Sequence, residues 1–168
     1  MAYVAPPFRI CFVCTGNICR SPTAEVVARH LLAGTALDGR VRVGSAGLGD
    51  WHVGDGADRR TVAALHQRGY PTWPHRARQF RAADFAEHDL VLALDRGHRA
   101  ALTRLAPGPA DAAKIRLLRS YDSAASPDDL DVPDPYYGGR QGFERVLDMI
   151  EAACRGLVAE LIHHPAAG

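Results

Sequence analysis

The sequence has little lysine, few cysteines and no long apolar run, and each shortage excludes a class of protein. All but one of its 20 lysine and arginine residues are arginine, and the single lysine, Lys114, does not complete the Gly-x-x-x-x-Gly-Lys-Ser/Thr loop of nucleotide-binding proteins. No apolar run approaches the length of a membrane-spanning helix, so we expect no membrane insertion. The net charge of +1 and the lack of a basic stripe predict no nucleic acid partner.

The four cysteines predict free thiols rather than a disulfide framework. Cys11 and Cys14 are spaced as Cys-x-x-Cys, a pattern found in metal and redox sites. Strand alternation turns Cys11 away from the side of the chain on which Cys14 lies, and no second cysteine pair or regular histidine spacing completes a zinc site. We therefore expect no metal and no cofactor.

The length of 168 residues suits one domain with its own core, and we assign residues 1–168 to it. Residues 1–7 are predicted to be an unstructured lead. The N-terminus lacks the basic region and apolar core that are typical of a signal peptide, so we expect a cytoplasmic protein. Export without a signal peptide stays open.

The most informative stretch is Cys-Thr-Gly-Asn-Ile-Cys-Arg-Ser-Pro, residues 14–22. It follows an apolar run, residues 8–13, that is typical of a buried strand. Ser21 is predicted to cap a helix whose first residue is Pro22. Because the loop ends on a helix N-terminus, its N–H groups and the helix dipole favour an oxyanion such as phosphate.

Arg20 and Cys14 add chemistry to this anion site. The planar guanidinium of Arg20 matches phosphate oxygens. In the same field we expect Cys14 to be a thiolate and a nucleophile. The pattern therefore predicts transfer of a bound phosphoryl group.

Strand and helix signals alternate along the rest of the chain. Further strands are predicted at 40–43, 89–94 and 114–118, and helices at 22–33, 58–68, 96–105 and 142–163. This alternation predicts an α/β fold with a doubly wound parallel sheet, in which ligands bind beyond the carboxyl ends of the strands. The phosphate loop follows the first strand, at that edge.

Several polar and aromatic residues outside the loop are less decisive. Trp51 lies in a glycine-rich loop and is interpreted as a cleft wall, whereas Asp95 is predicted to cap the third helix. His75 by itself favours a solvent-facing side chain. The long segment 120–142 contains five aspartates between which the residues alone do not choose: Asp122, Asp128, Asp129, Asp131 and Asp134.

The stretch 14–22 resembles the phosphate loop of the low-molecular-weight protein tyrosine phosphatases. Three further segments are similar to that family: Ser45-Ala46-Gly47 with Asp50-Trp51-His52, His75-Arg76-Ala77-Arg78-Gln79, and Asp134-Pro135-Tyr136-Tyr137. The resemblance runs from Arg9 to the last helix. It implies a four-stranded parallel sheet with helices on both faces and hydrolysis of phosphotyrosine through a phosphocysteine.

The resemblance also implies a role for each matching residue. Cys14, Arg20 and Asp134 would be catalytic, with Asp134 as general acid and base, and Ser45 and His75 would hold Asn17 and so support the loop. The remaining expected site residues bind phosphate or line the substrate cleft: Thr15, Gly16, Asn17, Ile18, Cys19 and Ser21 for phosphate, and Trp51, His52, Tyr136 and Tyr137 for the cleft. Phosphotyrosine proteins would be partners, as would a kinase acting on Tyr136 or Tyr137.

Three alternative functions make different demands on the sequence. Arsenate reduction on the same scaffold needs further cysteines after the third strand, and there is no cysteine between Cys19 and Cys154. A phosphate-binding module without catalysis predicts loss of the nucleophile or the acid, and both are present. A phosphoarginine phosphatase would carry Thr in place of Ile18. Separately, Cys19 either traps oxidised Cys14 as a disulfide or packs beneath the loop.

Overall fold

The computed structural model describes residues 2–71 and 73–164; Met1, part of the predicted lead, lies outside them. Residues 2–7 have no regular secondary structure. The fold is a four-stranded parallel sheet in the order β2-β1-β3-β4. Its strands are β1 (Phe8–Cys14), β2 (Val41–Gly47), β3 (Leu90–Ala93) and β4 (Ile115–Leu117). The predicted fold class is confirmed.

Helices connect and cover these strands. They are α1 (Arg20–Ala33), α2 (Arg59–Gln67), α3 (Arg96–Leu105), α4 (Pro109–Ala112) and α5 (Arg140–His163), with short 3₁₀ segments at Ala82–Glu87 and Leu118–Tyr121. Within residues 2–71 and 73–164, no helix is both long and apolar enough to cross a membrane.

Alternation along the buried strand β1 divides the core into two layers. Ile10 and Phe12 face a cluster built mainly from α1 and α5, and Cys11 and Val13 face a second cluster that includes Leu102 of α3. Helices therefore cover both faces of the sheet, as predicted. Because successive strand residues point to opposite faces, Cys11 is turned away from the layer that contains Cys14.

The last helix, α5, carries an apolar stripe that faces the first of these clusters. Its members are buried except for the half-buried Leu161: Phe143, Val146, Leu147, Ile150, Cys154, Leu157 and Val158. On α2, Thr61 and Leu65 are buried, whereas Val62 is only half-buried. Helix α2 thus turns a polar residue, Thr61, toward the phosphate loop.

The start of α1 differs from the prediction. The helix begins at Arg20 with Cys19 as its N-cap residue, and no side chain caps it. Ser21 was predicted to be the cap, but it lies inside the helix, where its hydroxyl contacts Asn17 and Cys14 instead. The helix starts two residues early because the loop turns sharply at Asn17, whose φ of 59° is left-handed.

Two other boundaries bear on the site. Strand β2 continues beyond its predicted end at residue 43 as far as Gly47, because residues 44–47 pair with β1. Gly47 also pairs with the chain at Arg78 and Phe80 through hydrogen bonds of 2.8 and 2.7 Å. The cap predicted at Asp95 is confirmed, since its carboxylate accepts a hydrogen bond from the backbone N–H of His98 at 2.8 Å. Both features end at the carboxyl edge of the sheet.

Candidate active site

A cavity of about 220 Å³ opens at the carboxyl end of β1, directly in front of the N-terminus of α1. It contains every predicted catalytic and cleft residue and most of the predicted phosphate loop. Its lining consists of Cys14, Thr15, Gly16, Ile18, Cys19, Arg20, Trp51, His52, Asp134, Tyr136 and Tyr137. The remaining four predicted residues, Asn17, Ser21, Ser45 and His75, are buried polar side chains behind the loop.

Asn17 holds the loop from behind. Its amide nitrogen donates to the hydroxyls of Ser21 at 2.8 Å and Ser45 at 2.9 Å, and its amide oxygen accepts from the backbone N–H of Arg78 at 3.0 Å. The backbone carbonyl of Asn17 lies 2.7 Å from Nε2 of His75. These bonds stabilise a left-handed backbone, which glycine and, less often, asparagine or aspartate adopt, and they fix the curvature of the loop.

Gly47 allows β2 to approach the loop closely. A Cβ atom at this position would lie 2.9 Å from the carbonyl oxygen of Thr15 and 3.0 Å from the backbone nitrogen of Asn17. Both neighbours are backbone atoms of the loop, so a side chain at position 47 would displace the loop itself. Gly47, the last residue of the segment Ser45-Ala46-Gly47, is therefore required by packing.

Cys14 lies at the floor of the cavity and is only 3 % exposed. Its Sγ is 3.0 Å from Oγ of Ser21. Ser21 Oγ also lies 3.3 Å from the carbonyl oxygen of Ala46. Since a serine has one hydroxyl hydrogen, Ser21 can donate either to Ala46 or to a thiolate at Cys14.

The guanidinium of Arg20 is buried and oriented by three groups. Nη1 donates to Oδ2 of Asp95 at 2.8 Å and to the carbonyl oxygen of Val132 at 3.0 Å, and Nη2 donates to Oγ1 of Thr15 at 3.3 Å. Among the described residues, Nε–H forms no hydrogen bond. The Nε and Nη2 edge therefore offers two parallel donors for an oxyanion in the cavity.

Asp134 is distinguished from the other four aspartates of segment 120–142 by its position. Its Oδ1 accepts from the backbone N–H of Tyr136 at 3.0 Å, and its Oδ2 lies 3.7 Å from Nη2 of Arg20 in the cavity. Asp131, by contrast, accepts a hydrogen bond from the backbone N–H of Arg96 at 2.8 Å, at the start of α3. Of the five, Asp134 is the one that lines the cavity.

Aromatic side chains surround the mouth of the cavity. Trp51 and Tyr137 are 72 % and 93 % exposed, and the rings of Tyr136 and Tyr137 pack edge to face with centroids 4.9 Å apart. Arg60 of α2, which the sequence did not single out, lies 5.4 Å from the centroid of the Tyr136 ring. A flat, amphipathic entrance of this kind suits an aromatic group on a ligand.

Two residues that contact Arg20 or the loop were not predicted from the sequence: Asp95 as an ion-pair partner, and His98. The imidazole of His98 is buried, with Nε2 2.8 Å from Oγ1 of Thr15 and 3.4 Å from Nη2 of Arg20. Burial, followed by the charge of Arg20, lowers the pKa of His98 to about 4. The position of Asp95 just beyond the carboxyl end of β3 was a usable signal, because ligands of parallel sheets bind at that edge.

The other cysteines occupy different environments. Burial raises the pKa of Cys11 and that of Cys19 to about 12, and it also raises the pKa of Cys154, which packs in the core against α1. Cys19 lines the active-site cavity and also a second, small cavity, where it lies close to Thr61. In the described part of the chain, no group of three His, Cys, Asp or Glu side chains is arranged to hold a metal ion.

Comparison with known proteins agrees with this geometry. A sequence profile of the low molecular weight phosphotyrosine protein phosphatases matches residues 9–166. The chain belongs to this family. A low molecular weight protein-tyrosine-phosphatase of Streptomyces coelicolor is 59 % identical over 152 residues, which cover 90 % of this chain and 92 % of the relative.

Solved structures of the family share the fold. The crystal structure of YfkJ from Bacillus subtilis superposes with a TM-score of 0.88 at 34 % identity, covering 96 % of this chain and 98 % of that one. A protein tyrosine phosphatase from Entamoeba histolytica with Hepes in its active site gives a TM-score of 0.87 at 34 % identity, covering 93 % and 97 %. The present chain therefore has the four-stranded parallel sheet and the loop position expected from the resemblance.

Proposed function

We propose that the protein is a protein tyrosine phosphatase that hydrolyses phosphotyrosine through a phosphocysteine on Cys14. The observation that carries the proposal is the convergence of a thiol, a guanidinium edge and a half-exposed carboxyl group, those of Cys14, Arg20 and Asp134, on one cavity. Phosphoryl transfer to a side chain requires a nucleophile, a hydrogen-bond donor to the phosphoryl oxygens and a proton donor. The names of the relatives point to the same activity.

In the first step the phosphoryl group of the substrate occupies the cavity. Its oxygens accept hydrogen bonds from the Nε and Nη2 edge of Arg20 and from the loop N–H groups. The thiolate of Cys14 attacks phosphorus, so that an S–P bond forms while the bond to the tyrosine oxygen breaks. Asp134 gives its proton to the departing phenolate, which leaves as neutral tyrosine.

In the second step water replaces tyrosine. Asp134, now ionised, takes a proton from the water while the water oxygen attacks phosphorus. The S–P bond breaks, and phosphate is released. The departing thiolate of Cys14 accepts a hydrogen bond from the hydroxyl of Ser21, 3.0 Å away. Arg20 stabilises the charge on the phosphoryl oxygens in both steps.

Phosphotyrosine is favoured over phosphoarginine by the chemistry of the entrance. Ile18 is half-buried on the cavity wall and presents only apolar surface, and Trp51 and Tyr136 add aromatic surface. These groups match a phenyl ring but leave the N–H groups of a guanidinium unpaired, which costs roughly 1–3 kcal/mol for each group. A wild-type preference for phosphoarginine peptides in kcat/KM would overturn this assignment. Ile18→Thr is expected to reduce the ratio of kcat/KM for phosphotyrosine peptides to that for phosphoarginine peptides.

Phosphotyrosine-containing proteins are the corresponding partners, and the proposed location is the cytoplasm. A tyrosine kinase is a second proposed partner, because Tyr137 is 93 % exposed beside the mouth of the cavity and is accessible to modification. Incubation with a tyrosine kinase and mass spectrometry of Tyr136 and Tyr137 tests this second partner.

The function is tested by rapid-quench labelling with a ³²P-phosphotyrosine peptide. We expect an acid-precipitable phosphoprotein with the label on Cys14, and none in Cys14→Ser, which keeps the loop and should still bind phosphate. Substantial turnover by Cys14→Ser would refute the mechanism. Arsenate with thioredoxin as reductant is the control for arsenate reduction, and consumption of arsenate in place of phosphatase activity would replace the proposed function.

A further inference from the structure

His98 connects the phosphate loop to α3, although no catalytic motif includes it. It lies in the first turn of α3, one turn after Asp95, and its side chain is buried. Nε2 is 2.8 Å from Oγ1 of Thr15, and Nδ1 is 3.2 Å from Oδ1 of Asp95 without the alignment of a hydrogen bond. The imidazole therefore lies between a loop hydroxyl and a carboxylate.

The neighbours of His98 select one tautomer. Nη2 of Arg20, which carries only hydrogens, lies 3.4 Å from Nε2, so a hydrogen on Nε2 would be repelled there. The carboxylate of Asp95 faces Nδ1, so a lone pair on Nδ1 would be repelled as well. Both contacts favour a neutral imidazole with its hydrogen on Nδ1 and its lone pair on Nε2.

We propose that His98 is a positioning residue that fixes the guanidinium of Arg20 through Thr15. Nε2 of His98 accepts the hydroxyl hydrogen of Thr15, which leaves the Thr15 oxygen to accept from Nη2 of Arg20 at 3.3 Å. The Nδ1 hydrogen of His98 faces Asp95, and Asp95 in turn accepts from Nη1 of Arg20 at 2.8 Å. The four side chains thus form a ring that consists of three hydrogen bonds and one closing contact, the 3.2 Å approach of Nδ1 of His98 to Asp95.

The ring orients Arg20 before any phosphate arrives. Two sides of the ring, the bonds made by Nη1 and by Nη2, hold the guanidinium in place. Its Nε and Nη2 edge is therefore presented to the cavity without a change of the Arg20 rotamer. Preorganised donors of this kind do not have to be ordered at the moment of reaction. This role rests on the proposed function, in which that edge binds the phosphoryl group.

The charges around His98 keep the ring intact in neutral solution. Burial and Arg20 disfavour the imidazolium, whereas Asp95, Asp134 and Asp131 favour it, and the balance lowers the pKa of His98 to about 4. The lone pair on Nε2 that accepts from Thr15 is therefore present near neutral pH.

A matched pair of variants separates positioning from packing. His98→Gln keeps an acceptor near the position of Nε2, and His98→Leu keeps comparable volume without one. Losing one hydrogen bond that orients a charged group is expected to weaken inorganic phosphate binding roughly tenfold in His98→Leu, and by clearly less in His98→Gln. In a Thr15→Val background, the additional substitution His98→Leu should change phosphate affinity little further, because the Thr15 hydroxyl that connects His98 to Arg20 is already absent.

The first measurement is ¹⁵N NMR of the wild-type imidazole at neutral pH, which needs no variant and no turnover. We expect a protonated Nδ1 and an unprotonated Nε2 for His98, and the reverse tautomer would overturn the proposal. Phosphate affinity is then titrated in the folded variants, with thermal unfolding as the control. Equal losses in the Gln and Leu variants, or no loss in either, would also overturn it.

These measurements remain informative if the proposed function fails. The protein could show the expected tautomer and the expected pattern of phosphate affinities without hydrolysing phosphotyrosine. That result would refute the proposed function but support the positioning role of His98.

Discussion

Oδ2 of Asp95 lies 2.8 Å from Nη1 of Arg20, so that an ion pair joins the carboxyl end of β3 to the first residue of α1. The Arg20 side chain is 5 % exposed and that of Asp95 is 23 % exposed. Asp95 has a second task, because its Oδ1 caps α3 through the backbone N–H of His98. One carboxylate therefore stabilises a helix and orients the guanidinium that is expected to bind phosphate.

The two tasks of Asp95 are separable by mutation. Asp95→Asn keeps a side chain that can cap α3 but removes the charge that faces Arg20, and it is expected to lower kcat/KM at least tenfold with a modest loss of stability. Asp95→Ala is expected to lose a further ~1 kcal/mol of unfolding free energy, because the cap is removed as well. Urea unfolding and steady-state kinetics of both variants check this. Equal stability of the two variants would contradict the capping role.

The region around Arg20 also shows how far the sequence determines the site. The strand, loop and helix at Cys14 follow from local patterns, and so does the cap at Asp95. The contact between Arg20 and Asp95 joins residues 75 positions apart, and no periodicity or propensity encodes such a contact. His98 is a similar case, because its partner Thr15 is 83 residues away.

The errors at the helix start have a physical cause. Ser21 followed by Pro22 is a strong local signal for an N-cap, and the prediction relied on it. Asn17 overrides that signal, since its left-handed backbone is stabilised by Ser21, Ser45 and the backbone at Arg78, which come from three different segments. Tertiary hydrogen bonds thus moved the helix start to Arg20.

Asp134→Ala tests the choice among the five aspartates. We expect a loss on the order of 10²–10⁴ in kcat with a phosphotyrosine peptide, the usual range for a general acid. With p-nitrophenyl phosphate the loss should be smaller, because that leaving group needs less protonation. Asp131→Ala is the matched control, since Asp131 bonds to the backbone of Arg96 outside the cavity. A larger loss in Asp131→Ala would show that the wrong carboxylate was chosen.

Asn17 combines an unusual backbone conformation with four hydrogen bonds, and two substitutions separate them. Asn17→Gly tolerates the φ of 59° but removes the side-chain bonds to Ser21 and Ser45. Asn17→Ala removes the same bonds and adds the left-handed penalty, roughly 1–2 kcal/mol. We expect both variants to bind phosphate weakly and the alanine variant to unfold at lower urea concentration. Wild-type phosphate affinity in Asn17→Gly would show that backbone conformation alone shapes the loop.

The buried imidazole of His98 predicts a specific loss of stability in acid. Its pKa is lowered from 6.5 to about 4 in the folded protein by burial and by Arg20, against the opposing charges of Asp95, Asp134 and Asp131. Between these two values the unfolded chain binds a proton that the folded chain does not. The free energy of unfolding therefore falls as the pH drops from about 6.5 to about 4, in total by roughly 3 kcal/mol from this one group.

The measurement is urea unfolding of the wild type and of His98→Leu at several pH values across that window. His98→Leu lacks the titrating group. Its free energy of unfolding should therefore fall less steeply with decreasing pH than that of the wild type, and the two slopes should differ by up to about 1.4 kcal/mol per pH unit. His66→Leu is the control, because His66 is exposed on α2 and leaves the buried imidazole in place. Parallel curves for the wild type and His98→Leu would show that His98 takes up a proton equally in both states, and the lowered pKa of the buried imidazole would then be wrong.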